Sequence, residues 1–118
     1  MVPYMVYKLL HVLGAVMVLA AAGGVAVHAA NGGRREDNQL RGLLAAMHGV
    51  GLILSIVAGF GMLGGSLPGW AWVKLVIWLC FGAALTLPYR KQGLSRPLVV
   101  ILPLLAAAAA YLSLYKPF

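Results

Sequence analysis

Carboxylates are almost absent from this chain: Glu36 and Asp37 are the only two acids among 118 residues, and they are neighbours. Two adjacent acids cannot flank a substrate as a general acid and base. They are too few for a calcium or magnesium cage, which takes six or more oxygens. A proton relay through buried Asp or Glu has no members. Cysteine is equally scarce. Cys80 is the single one, set inside an apolar run, so disulfide and zinc frameworks are excluded and the thiol reads as a packing residue. Charged residues make up 9% of the chain, where a globular domain carries about 25%. Too little charge remains to coat a water-facing surface. No Gly-rich turn sits in a strand–helix unit, so phosphate-cradling motifs do not apply. Ser55 has no base beside it on its helix, and no hydrolase constellation is visible.

What is present is apolar surface. Hydrophobic residues make up 63% of the sequence and mean hydropathy is +0.95. A bilayer core about 30 Å thick takes roughly 20 apolar residues to cross as a helix. Four runs meet that length, at residues 4–30, 40–64, 70–89 and 97–115. Period-two alternation in segments of about 10 residues, the mark of a membrane β-barrel, is missing. The spacing predicts an all-α integral membrane four-helix bundle, a single transmembrane domain over residues 1–118. Asn31-Gly32-Gly33 stops the first helix. Asp37 or Asn38 is placed to cap the second. Gly64-Gly65-Ser66-Leu67-Pro68-Gly69 makes a tight turn, Pro88 closes the third helix, and Pro103 bends the fourth. Short loops make successive helices antiparallel, up-down-up-down. Val27-His28-Ala29 resembles a signal cleavage site, but no basic start precedes the long first run, which is therefore read as a true span.

The basic residues orient the bundle. Arg34, Arg35 and Arg41 lie in the first loop, and Arg90, Lys91 and Arg96 in the third. Lys8, Lys74 and Lys116 lie near helix ends on the other side. Positive loops stay cytoplasmic, which puts both termini on the outer, periplasmic side of a bacterial inner membrane. Tyr4, Tyr7, Trp70, Trp72, Tyr111, Tyr115 and Phe118 form an outer aromatic belt. The net charge of +7 is a topology signal and an attraction to anionic lipid, with no nucleic-acid surface in it.

Chemistry in such a chain must come from polar residues inside the spans. Those are His11, His28, His48 and Lys74. The first and third helices run in the same direction, so His11 and Lys74 lie within about one turn of each other in depth. Lys8 sits one turn above His11 on the same face. Gly14 and Ala15, one turn below, leave room for something flat, and Trp78 can wall the same space. His48 is deeper, on the stripe of Gly51, Ser55 and Gly59, whose small residues let helices approach. Gly61 and Gly65 repeat that spacing. His28 falls near the loop end, bonded to water or headgroups.

Three segments carry a resemblance. Tyr7-Lys8-Leu9-Leu10-His11-Val12-Leu13-Gly14, Val57-Ala58-Gly59-Phe60-Gly61 and Pro68-Gly69-Trp70-Ala71-Trp72-Val73-Lys74-Leu75 are similar to signatures of a bacterial membrane superfamily that includes the CopD copper-resistance proteins and the HemJ-type protoporphyrinogen oxidases. The HemJ-like resemblance implies b-type haem, with His11 as an axial ligand and Lys74 as a second ligand or a propionate partner. Gly14, Trp78 and Lys8 would line that site, and His48 is a further metal candidate. The CopD-like resemblance implies copper, for which the thioethers of Met1, Met5 and Met62 near His11 would be soft ligands. The chain departs from the pattern in having no His beyond the third helix and only four helices. A bundle this small would hold haem and a bulky tetrapyrrole substrate together only as a homo-oligomer or beside a partner. Two function classes thus stay open: a haem-binding redox protein, and a non-catalytic subunit with no cofactor, packed against a larger membrane complex.

Overall fold

A computed structural model describes residues 3–118, and it is all helix and turn, with no strand among the described residues. Five α-helices follow in order: α1 Tyr4–Ala30, α2 Arg41–Leu63, α3 Gly69–Ala83, α4 Leu87–Arg90 and α5 Ser95–Tyr115. The sequence leaves little alternative. Without water nearby, every backbone polar group must find a partner inside its own segment, and the α-helix does that. α1, α2 and the stretch ending in α5 are long and apolar enough to cross a membrane, whereas α3 is a shorter apolar helix. The architecture is compatible with a helical membrane bundle.

α1 is the centre of the fold. It packs along the whole of α2 and, on another face, along α5. Ala21, Ala22 and Ala26 of α1 have no exposed surface at all. Small side chains are what permit such close approach, since packing and not the hydrophobic effect joins helices in lipid. Contacts run in opposite directions along each neighbouring pair. Tyr7 meets Gly61, Gly14 meets Gly51, and Gly24 meets Leu44. α3 pairs with α5 in the same antiparallel sense, through Lys74 with Ser113 and Gly69 with Phe118. The N-terminus, the α2–α3 loop and the C-terminus therefore share one end of the molecule, the terminal end. Both arginine loops share the other.

Two expectations change. The run 70–89 is not one helix. α3 stops at Ala83, a turn occupies Ala84 to Thr86, and α4 restarts at Leu87. Pro88 explains it: in an unbroken helix its ring would strike the carbonyl of Ala84, and it has no N–H to offer. Nor does a carboxylate or carboxamide cap α2, whose N-cap is Leu40. Asn38 acts one step earlier, its Oδ1 accepting the Leu40 N–H at 3.0 Å. Asp37 closes a short 3-10 turn instead, accepting the Arg34 N–H at 3.3 Å. The stops fall where glycine allows them. Gly64 ends α2 in the left-handed conformation at φ 62°, and Gly32 follows α1 at φ 84°.

The packed core lies toward the arginine end. Ala22 and Ala26 of α1 meet Ala84, Leu98 and Leu102, with Leu19, Phe81 and Leu87 against them. At the terminal end α1 stays on α2 and α3 on α5, and space opens between the two pairs.

Candidate functional site

The space between them is a cavity of about 570 Å³, bounded by α1, α2, α3 and α5. That falls within the range of small-molecule and cofactor sites, about 300–1,000 Å³. Its walls are mainly apolar, including Ala15, Leu19, Ile56 and Ala106, and two indoles, Trp70 and Trp78, stand on the α3 side. Polar side-chain groups are few and belong to lysine, histidine, serine, tyrosine and the two indole N–H groups.

His11 is the best-defined of them. Its Nδ1 lies 2.6 Å from the Ser55 carbonyl oxygen on α2. A carbonyl only accepts, so Nδ1 carries the proton and donates. The neutral ring then has its lone pair on Nε2, which has no hydrogen-bond partner among the described residues. Gly59 makes this placement possible, because a Cβ there would come within 3.3 Å of the His11 ring. Trp78 is fixed in the same manner, its indole N–H donating to the Leu52 carbonyl at 3.1 Å. The Ser55 hydroxyl returns to that same carbonyl at 3.0 Å. The α2 backbone thus serves as a rail on which side chains from α1 and α3 are hung.

Three lysines line the cavity: Lys8, Lys74 and Lys116. Lys74 Nζ donates to the Ser113 hydroxyl, which in turn donates to the Ala109 carbonyl at 3.3 Å. Lys116 ends α5 in the left-handed conformation, φ 47°, where a residue with a side chain is uncommon. Its ammonium sits 5.8 Å from the centre of the Trp70 ring, within cation–π reach. No acid lines the cavity. Three ammonium groups and one imidazole therefore face an apolar space without a counter-charge.

Of the residues singled out in the sequence, Lys8, His11, Lys74 and Trp78 line this cavity together, and Gly14 and His48 do not. Gly14 is the crossing point of α1 and α2: a Cβ there would lie 2.7 Å from both the Gly51 carbonyl and the Ser55 N. The room below His11 comes from Ala15. His48 is buried, and its Nε2 donates to the Phe81 carbonyl at 2.9 Å, bracing α2 against the end of α3. His28 bonds the Tyr89 hydroxyl at 2.7 Å in place of water or headgroup. Met62 lines the cavity, Met5 is exposed, and Met1 lies outside the described residues. No group of three or more His, Cys, Asp or Glu able to share a metal ion occurs among the described residues.

Ser113, Lys116, Trp70 and Gly59 join the site without having been singled out for it. Ser113 had a signal: it is the one serine of the last run after its first residues, near the end that lies at the level of Lys74. Gly59 had none beyond its place on the small-residue stripe. Comparison with protein-family models, curated proteins and solved structures returns no match to this chain.

Proposed function

We propose that the protein is a four-span membrane bundle, up-down-up-down, with its termini on the periplasmic side of a bacterial inner membrane, and that its cavity binds a flat apolar molecule bearing carboxylates, haem b above all. The topology reading rests on charge. All five arginines and Lys91 gather at one end, and the other three lysines at the opposite end. Positive loops remain cytoplasmic. α3 and α4 together would make the third crossing, as a broken helix.

The observation that carries the ligand reading is His11. An imidazole that donates Nδ1–H to a carbonyl and keeps a free Nε2 lone pair has the orientation metal-ligating histidines use. The other groups fit the same molecule. Lys8, Lys74 and Lys116 supply cations for two propionates, with Ser113 steering Lys74. Trp78 and Ala15 add an indole and a small side chain to the cavity wall. His11 would hold the iron, the lysines the carboxylates, and the surrounding helices would exclude water. Haem bound there would supply one-electron chemistry, its potential set by the axial ligand and the polarity around it. The resemblance of the His11 and Lys74 segments covers the copper-handling and the haem-binding branches alike; the cavity favours haem, because only Met62 would accompany His11 there as a soft ligand for copper.

The visible spectrum of the detergent-purified protein, with haem supplied, tests it. A Soret band is expected, absent in His11→Ala. In Lys74→Ala the haem should bind about tenfold or more weakly, as loss of a charge-assisted bond costs about 1.5–3 kcal/mol. A folded, helical protein that stays colourless with haem present would sink the reading. Co-purification of that colourless protein with larger membrane proteins would favour the accessory-subunit alternative.

A further inference from the structure

A second hollow, of about 830 Å³, opens at the arginine end. Arg34, Arg35, Arg41 and Arg90 all line it, four of the five arginines in the chain, and Glu36 is the one acid among them. They come from two loops about fifty residues apart in sequence, so their meeting is a product of the fold. The choice of residue is informative. Lys91 and Arg96 flank the same loop but do not line the hollow. Guanidinium presents a planar fork of donors suited to phosphate oxygens, where ammonium offers a point charge.

The hollow is held in shape by polar bonds between the loops. Gln92 Nε2 donates to the Gly33 carbonyl at 2.8 Å. Asn38 Nδ2 donates to the Tyr89 hydroxyl at 3.0 Å, and His28 meets that hydroxyl from α1. Arg41 is pinned by donating to the carbonyls of Glu36 and Asn38 at 3.2 and 3.3 Å. Arg34 lies 3.5 Å from the Glu36 carboxylate. Arg35 and Arg90 have no hydrogen-bond or ion-pair partner among the described residues. Val25, Ala45 and Leu85 complete the wall. Val25 is buried in the floor of the fold, whereas Ala45 is exposed and Leu85 half-buried, so the hollow joins exposed arginines to accessible apolar side chains.

The geometry points to a discrete phosphate-binding site here, filled by the headgroup of an anionic phospholipid, with Arg35 and Arg90 gripping the phosphate and the acyl chains following Ala45 and Leu85, the accessible apolar residues of the wall. The shared chemistry is the phosphate; the apolar wall selects the lipid over a free anion. A general basic surface would attract anionic lipid through every cation near the membrane, inside the hollow or outside it. A site instead makes position matter more than charge count.

That difference is measurable. Native mass spectrometry of the purified protein counts retained phosphatidylglycerol against phosphatidylcholine. Arg35→Gln with Arg90→Gln is compared with Lys91→Gln with Arg96→Gln, which removes equal charge outside the hollow. Wild type and the outer pair should retain phosphatidylglycerol preferentially, and the inner pair should bind it about tenfold or more weakly, from losing two charged bonds. Equal loss in both pairs, or no preference for phosphatidylglycerol in wild type, would overturn the proposal. Inorganic phosphate and glycerol phosphate form a further arm. They should fail to displace the lipid, and displacement by them would overturn the lipid assignment in favour of a soluble phosphate. If the Gln pair lowers the thermal midpoint, Arg35→Lys with Arg90→Lys is read in its place: with charge kept and the fork lost, weaker phosphatidylglycerol retention than wild type is expected, and unchanged retention would overturn the proposal.

Discussion

Single side chains in this protein do one of two jobs: they let helices touch, or they donate a hydrogen bond to another helix's backbone. Gly14 does the first. Any Cβ there meets the α2 backbone at 2.7 Å on two atoms, and a backbone cannot swing aside as a flexible side chain can. Gly14→Ala should therefore cost about 1–3 kcal/mol, the range for overpacking, read as a lower thermal midpoint by circular dichroism in detergent. An unchanged midpoint would mean that the two helices separate freely. His11, His48 and Trp78 do the second job, each on a backbone carbonyl. Histidine and tryptophan in an apolar run are visible in a sequence. Their acceptors are not, because every residue has a carbonyl and only the fold says which one is near. Depth counting put His11 and Lys74 at one level, and both line the cavity. The same counting kept Gly14 with them. It failed there because a glycine one turn away can face a neighbouring helix in place of the gap.

At the scale of elements, the break between α3 and α4 organises the arginine end. Residues 84–86 leave the helix because Pro88 cannot continue it, and the short α4 then carries Tyr89 to the α1–α2 loop. Its hydroxyl joins His28 of α1 and the buried Asn38. Tyr89→Phe removes the acceptor and leaves a buried amide donor without a partner, which costs about 1–3 kcal/mol. Hydrogen exchange should accordingly speed up in residues 34–40 while α2 stays protected; unchanged exchange would show that the hub does not hold the loop. The apolar runs of α1, α2 and α5 gave these helices away, since long apolar helices satisfy their own backbones. The broken third run was legible only as a proline, read as an end where it is a restart.

For the whole molecule, the antiparallel contacts put the α2–α3 loop at the terminal end and the α3–α5 connection at the arginine end. In a Cys80→Ser background, an impermeant maleimide should label Ser66→Cys in intact cells. Gln39→Cys and Gln92→Cys should react only after the membrane is opened. Labelling of positions 66 and 92 from the same side would mean that α3 and α4 do not cross, and a reversed pattern would invert the orientation. The two hollows then lie at opposite faces, one ringed by lysines and indoles, the other by arginines.

Composition and run length alone determined that the chain is helical, with apolar helices long enough to cross a membrane, because a backbone in lipid has so few options that apolar length suffices to choose the helix. They also removed whole classes of chemistry, since residues that are absent cannot be assembled by any fold. The tertiary structure decided where the helices part and where they close. It turned Gly14 away from the cavity that His11 lines, hung His11 on the Ser55 carbonyl, and drew four arginines from two basic stretches of the sequence into one hollow. Those outcomes depend on which faces of the helices meet. Nearly uniform apolar helices do not announce their contact faces, so packing settles what periodicity leaves open.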